Sequence, residues 1–381
     1  MRVLIDYRPA LRARSGVGEY VYQVSRALAR AVPTSASPRR LDLTLFSSSW
    51  KDRVEVTADL GAAAVVDRRL PVGLLNALWH RLEWPPVEAL AGGPFDVVHS
   101  PHPLLLPTRS AAQVVTIHDL YFLRHPEHSR AEVRRDYPTL VRDHAHRAHR
   151  IIVPSQSTAA DVERRLGVPP ERIAICPHGR PDWTARRLAP EDGYILFFGT
   201  LEPRKNVGGL LDAYERLLGA RSQTGPSLPE LLLAGHAGAD ARGLLDRLAK
   251  PPFQGHVRHL GYVDPARRRA LYEGARLLVQ PSFDEGFGFP VLEAMTIGVP
   301  VVAANRGALP EVLGDAGLLA NPEDPGQFGA AIERMLHQEG LAASCTSKGL
   351  RRAQRFDWAL TAERVVEAYQ MAIEQHRCAS A

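Results

Sequence analysis

The sequence predicts an α/β protein of two doubly wound, Rossmann-like domains, and three observations carry that expectation. Short Val/Ile/Leu runs alternate with helical stretches through the first half of the chain, the pattern of a parallel sheet covered by helices on both faces. The same rhythm restarts after a Pro/Gly-rich stretch near the middle. At 381 residues the chain is too long for one ordinary core and suits two.

In the first half, Val3–Ile5, Leu43–Phe46, Asp96–His99, Val114–His118 and Ile151–Pro154 read as buried strands. Tyr194–Phe198, Leu231–Ala234, Val257–Leu260, Leu277–Gln280 and Val299–Ala303 read the same way in the second. The stretches Pro177–Trp183 and Leu188–Gly193 have no periodicity and mark a linker, so the expected domains are residues 1–178 and 179–357. A last helix, within 358–381, carries Leu360, Val365, Val366, Tyr369 and Ile373 at helical spacing and is expected to pack back on the first domain. Ligands of such sheets bind beyond the carboxyl ends of the strands, so a cleft faced by both domains is the expected site.

Composition excludes several classes. With 45% hydrophobic and 23% charged residues the chain is neither disordered nor fibrous. Its 47 Lys+Arg against 42 Asp+Glu leave only +5, too little for a nucleic-acid partner. Cys176, Cys345 and Cys378 have neither zinc spacing nor the even count of a disulfide framework. Asp6 follows the first apolar residues at once, so no signal region is expected and the location expected is cytoplasmic. Contact with a membrane surface is conceivable at Arg68–Pro86, where Leu74, Leu75, Leu78, Trp79 and Leu82 share a helical face and Trp84 follows; core packing is the favoured reading.

The chemistry is expected after the strand at Leu277–Gln280. Pro290 suits the first turn of a helix and Gly298 its end, so a helix should run from about Pro290 to Ile297. Its N-terminus, preceded by Gly286 and Gly288, is a natural seat for phosphate. Glu285 and Glu293 flank that seat. Carboxylates repel phosphate but accept hydrogen bonds from vicinal hydroxyls, which points to a diphosphate with a sugar on each side, a nucleotide sugar. Two glutamates eight apart would by themselves be a solvated loop and a helix-face charge; the Gly, Phe and Pro between them argue otherwise.

These residues resemble the retaining family 4 glycosyltransferases, whose E-x7-E motif matches Glu285-Gly-Phe-Gly-Phe-Pro-Val-Leu-Glu293 in full. The resemblance extends to Gly199-Thr-Leu-Glu-Pro-Arg-Lys-Asn-Val, the Gly235 loop, Gly261-Tyr-Val and Gly307-Ala-Leu-Pro-Glu-Val, and so spans nearly the whole chain. It implies the two-domain GT-B fold, a nucleoside-diphosphate-sugar donor held mainly by the second domain, a glycan or lipid-linked acceptor, and no metal or other cofactor. Glu285 takes the contact to the donor sugar and Glu293 the ribose hydroxyls. Gly286, Phe287, Gly288, Phe289, Val291 and Leu292 of the motif, with Tyr262 and Val263, are the other donor-binding positions expected in this domain.

Without a metal the departing diphosphate needs positive charge, which Arg204 and Lys205 would supply. The family often has an arginine after the first glycine of that segment; here it is Thr200. In the first domain Ser15-Gly-Val-Gly18 opens a helix, and the resemblance places Gly16 and Gly18 near the donor phosphate. Taken alone the pair is an incomplete dinucleotide fingerprint, and the third glycine position is Val21. His118 matches a family histidine near the donor sugar, while His99 and His102 read as satisfied core or rim groups. His125, His128, His144, His146 and His149 lack the spacing of a metal site. The same stretch places Val133, Tyr137, Leu140, Val141, Ala145 and Ala148 on a helical stripe, with Arg134 and Arg135 off it. The function expected is retaining glycosyl transfer, with mannose on a guanine nucleotide as the favoured donor. The rivals are an epimerase or phosphorylase on the same fold, and a nicotinamide-dependent oxidoreductase.

Overall fold

The apolar runs become the strands of two all-parallel sheets in the computed structural model, which describes residues 1–11, 16–30, 41–55, 57–61, 63–126, 137–221 and 227–380. Ser15, His128, Val133, Arg134 and Arg135 lie outside the described residues. The chain divides into two units: Met1–Gly179 with the returning segment from Asp357, and Arg180–Phe356.

The first unit holds β1 (Arg2–Asp6), β2 (Asp42–Ser48), β3 (Ala64–Arg68), β4 (Val97–Ser100), β5 (Ala112–Thr116), β6 (Arg150–Val153) and β7 (Ile173–Ile175). They are ordered β3-β2-β1-β4-β5-β6-β7. Val3, Leu4 and Ile5 are fully buried because β1 is central and both faces of the sheet are covered. The Trp358–Ser380 helix buries Val365, Tyr369 and Ala372 in the same core as Val3, Ile5 and Val97. Leu360, expected on its buried stripe, is 43% exposed at the helix start.

The second unit holds β8 (Tyr194–Phe198), β9 (Leu231–Ala234), β10 (Val257–Gly261), β11 (Ala275–Gln280), β12 (Val301–Ala304) and β13 (Leu318–Ala320), ordered β10-β9-β8-β11-β12-β13. The first strand of each sheet thus has an earlier branch on one side and a later branch on the other. The winding reverses between β1 and β4 in one sheet and between β8 and β11 in the other. Ligands of such sheets bind beyond the carboxyl ends of the strands at these reversal points.

Three strands had no counterpart in the sequence pattern: β3, β7 and β13. Each is an outer strand and only partly buried, so none needs the apolar run that marks a central strand. The Val72–Leu82 helix also departs from expectation. Leu75 and Trp79 are buried against Phe46 and Val98, but Leu74 and Leu82 are 58% and 67% exposed. The apolar stripe is wider than the arc the sheet covers. Among the described residues no helix is long and apolar enough to cross a membrane.

Candidate active site

The reversal point between β8 and β11 gathers the residues expected to carry chemistry in the second unit. After β8 the chain makes one tight turn, Pro203–Lys205, and passes through Asn206 into the Val207–Arg221 helix. Asn206 adopts a left-handed conformation (φ 53°) that the short amide side chain tolerates. Its amide donates to the carbonyls of Pro281 (3.1 Å) and Pro322 (2.8 Å). Phe283 N–H donates to the Arg204 carbonyl at 2.9 Å. The loop after β8 is therefore fastened to the loop after β11.

That fastening brings Lys205 onto Glu285. Lys205 Nζ donates to Glu285 Oε1 at 2.7 Å and Oε2 at 2.8 Å. Ser282 Oγ donates to Oε1 at 2.8 Å and Gln280 Nε2 at 3.0 Å. Burial pushes the Glu285 carboxyl up. The Lys205 ammonium, the Arg204 charge and the hydrogen bonds from Lys205 and Ser282 outweigh burial and hold it below the usual carboxylate range. Arg204 is itself turned to Glu202, 2.9 Å away.

Backbone geometry fixes the glutamate from behind. Ala308 N–H donates to the Glu285 carbonyl at 2.9 Å. A Cβ on Gly307 (φ 57°) would stand 2.6 Å from that oxygen, so only glycine fits. Gly288, at φ 105°, caps the Phe289–Ile297 helix, which begins one residue before Pro290. Val291 and Leu292 are fully buried and send their N–H groups to the Gly288 carbonyl. Phe287 is buried and packs edge-on to Phe289 and Phe356. The motif thus serves the core along most of its length and presents Glu285 and Glu293 at its two ends.

Glu293 is 4% exposed. Arg268 reaches it with a nitrogen 2.7 Å from Oε1, and Arg268 Nε donates to Oε2 at 3.1 Å. Tyr272 O–H donates to Oε2 at 2.7 Å. The Arg268 guanidinium lies 4.8 Å from the Phe198 ring centroid, and Tyr272 stacks on Phe198. Sequence reasoning passed over Arg268, Tyr272, Gln280 and Ser282. The first two come from the Pro265–Glu273 helix, with no motif to flag them; Gln280 and Ser282 sat beside the motif and could have been read as its polar surround.

The remaining expected positions lie on neighbouring strand ends. Thr200 follows β8 and is half-buried. Tyr262, 42% exposed after β10, stacks on His236 with ring centroids 4.7 Å apart, and half-buried Val263 follows. In the first unit Gly16 gives its carbonyl to Tyr20 N–H at the start of the Val17–Arg30 helix, whose first turn contains buried Gly18.

His118 follows β5 in the first unit. Its Nε2 is 3.1 Å from the Pro101 carbonyl, which can only accept, so Nε2 carries the proton. Burial pushes its pKa down to about 4, leaving Nδ1 an acceptor at neutral pH. His99 is a satisfied core group, as its setting implied: Nδ1 pairs with the Tyr369 hydroxyl (2.7 Å) and Nε2 with the Thr116 hydroxyl (2.8 Å).

Comparison with known proteins follows this division. Residues 14–181 match the family described as "Glycosyltransferase Family 4" and residues 181–352 the one described as "Glycosyl transferases group 1". The chain is 31% identical to the O-antigen chain mannosyltransferase B of Escherichia coli over 97% of its own length and 100% of that protein's. It is 30% identical to D-inositol 3-phosphate glycosyltransferase 2 of Catenulispora acidiphila over 60% of this chain and 58% of the relative. Among solved structures, sucrose-phosphate synthase from Thermosynechococcus elongatus superposes with a TM-score of 0.75 at 20% identity, covering 97% of this chain and 98% of that one. Anabaena HepE, solved with UDP and glucose, gives 0.67 at 18% identity over 96% and 98%. By these matches, and by its two all-parallel doubly wound sheets, the chain belongs to the family 4 glycosyltransferases and has the GT-B fold.

Proposed function

We propose that the protein is a retaining, metal-independent hexosyltransferase that moves a sugar from a nucleoside diphosphate to a hydroxyl of a glycan or lipid-linked glycan. Mannose from a guanine-nucleotide donor is the favoured substrate, in keeping with the name of the Escherichia coli relative. The observation that carries the reading is the Lys205–Glu285 pair at the carboxyl ends of β8 and β11, with Glu293 at the far end of the same motif.

In this reading Glu293, oriented by Arg268 and Tyr272, accepts from the ribose diol. Glu285 accepts from the hydroxyls of the transferred sugar. Lys205, with Arg204 beside it, faces the diphosphate, whose charge grows as the bond from sugar C1 to the phosphate oxygen breaks; a cation fixed in advance favours that charge. The acceptor oxygen bonds to C1 on the face the phosphate leaves, and its proton passes to the departing phosphate oxygen. No carboxylate nucleophile is required. His118, neutral and with Nδ1 as acceptor, is assigned a contact to the transferred sugar by the resemblance.

Thermal shift against a panel of nucleotide sugars, followed by product analysis, tests the proposal. A donor at 100 times its Kd adds about 2.7 kcal/mol. Transfer with unchanged anomeric configuration is expected. Inversion, or conversion of the donor without an acceptor into an epimer, would overturn it.

A further inference from the structure

The amino end of the second unit's sheet, opposite the strand ends that carry Lys205 and Glu285, holds a pocket of its own. Arg276 stands in the first turn of β11, and Gly298 and Pro300 lead into β12. The end of the Phe289–Ile297 helix, the end of the Pro325–His337 helix and one face of the Leu341–Ala353 helix close the other sides of a cavity of about 760 Å³. Neither Lys205, Glu285 nor Glu293 lines it. The Phe289–Ile297 helix, nine residues and so about 13 Å long, runs from the loop that holds Glu285 to this cavity.

The chemistry of the walls selects a ligand. Ile297 and Met335 are buried at the floor and Leu336 and Leu350 are half-buried beside them, while no described lining residue is aromatic. A nucleobase or sugar ring therefore finds no stacking platform, whereas a flexible methylene chain suits leucines and a methionine. The rim is cationic. Arg186 is spent on structure: its N–H donates to the Ile297 carbonyl at 2.9 Å and its Nη1 to the Glu273 carbonyl at 3.2 Å, which answers the negative end of the helix dipole. Arg187, Arg276 and Arg351 remain, with Glu191 as the one carboxylate among the described lining residues. Arg351 Nη1 donates to the Ser347 hydroxyl at 2.9 Å, a neutral partner that leaves its charge in place. Three guanidinium forks against one carboxylate favour a multiply charged, planar-edged anion, and a phosphate with its charge of about −1.5 to −2 meets that need better than a carboxylate.

We propose that this pocket is a second ligand site that takes a single phosphate-headed aliphatic chain, with the phosphate on Arg187, Arg276 and Arg351 and the chain along Ile297, Met335, Leu336 and Leu350. A cavity of this size falls within the ~300–1,000 Å³ of small-molecule sites, so it holds one such molecule and not a patch of bilayer. The proposal stands on residues of the second unit alone and does not depend on the glycosyl-transfer reading.

Calorimetric titrations of the full chain with dodecyl phosphate below its micelle concentration, dodecanoate, dodecyl maltoside and inorganic phosphate test it. The wild type should bind dodecyl phosphate at least tenfold more tightly than the maltoside or inorganic phosphate, and more tightly than dodecanoate. Replacing both Arg187→Ala and Arg276→Ala should weaken dodecyl phosphate at least tenfold and leave the maltoside unchanged. Ala343→Trp, which places a bulky ring in the cavity from an exposed helix position, should weaken every chain-bearing ligand. Far-UV circular dichroism verifies folding, and each variant tests the pocket by itself should the other not fold. Dodecyl phosphate affinity indifferent to both variants, or equal affinity for the maltoside, would overturn the site. Tighter binding of dodecanoate would overturn the phosphate head. Sedimentation with phosphatidylglycerol vesicles without binding of monomeric dodecyl phosphate would mean attraction to a charged surface and overturn the pocket assignment.

Discussion

Lys205 and Glu285, eighty positions apart, form a two-pronged ion pair with both contacts under 3 Å and both side chains nearly buried. In solvent such a pair would be worth little; here each partner is what makes the burial of the other tolerable. On the proposed function, anything that removes one of them acts on stability and on chemistry together, and the two effects can be separated.

Lys205→Ala should destabilise the second unit by about 3–5 kcal/mol, because it strands a buried carboxylate, and should slow transfer. Adding Glu285→Gln should restore much of the stability and none of the rate. Denaturant unfolding beside steady-state kinetics measures both. A Lys205→Ala enzyme with wild-type kcat/KM would remove that lysine from the site.

Acid should weaken the same pair. The Glu285 carboxyl is held below its ordinary 4.5 in the folded chain, so its contribution is complete above that pH and fades as pH falls through the lower, folded value. The stability difference between wild type and Glu285→Gln should therefore shrink from pH 7 toward pH 3. A difference that stays constant would show that the charge of Glu285 contributes nothing.

The two glutamates should part company in calorimetry. Glu293→Ala should weaken the free nucleoside diphosphate as well as the donor, since both contain the ribose. Glu285→Ala should spare the diphosphate and lower kcat/KM by roughly 10- to 150-fold, the value of one charged hydrogen bond at ~1.5–3 kcal/mol. Tyr272→Phe, which removes one of the donors that orient Glu293, should follow Glu293→Ala in kind but be milder. Equal losses of diphosphate affinity at Glu285 and Glu293 would leave the motif a purely structural one.

If Arg204 and Lys205 stabilise the leaving diphosphate as proposed, activity should persist after dialysis against EDTA. Loss on chelation and recovery with magnesium or manganese would reject the metal-free mechanism.

What the sequence revealed depended on burial. β8 and β9 were legible to the residue because a central strand covered on both faces must be a continuous apolar run, and Tyr194–Phe198 and Leu231–Ala234 are such runs. β3, β7 and β13 were not, since an outer strand can be mixed in composition. In the site, Glu285 and Glu293 announced themselves through the glycines, phenylalanines and proline between them. Arg268 did not: one arginine of three in a row, it differs from Arg267 and Arg269 only in facing Glu293, which is settled by packing. The buried ion pair of Asp6 at the end of β1 with Arg8, 2.6 Å apart, was hidden for a similar reason, since two charges separated by one residue carry no sign in the sequence that the sheet will close over them.

The second unit is an insertion within the first, and this orders events during synthesis. Arg180–Phe356 emerges from the ribosome as one uninterrupted stretch with its whole sheet and core. The first unit has all seven strands by Ile175, yet Val365, Tyr369 and Ala372, which fill its core, come almost two hundred residues later. The earlier-made half should therefore be the later to finish, holding an open apolar face, and a His99 whose Nδ1 lacks its partner, until Tyr369 arrives. For this protein, order of manufacture and order of completion run in opposite directions.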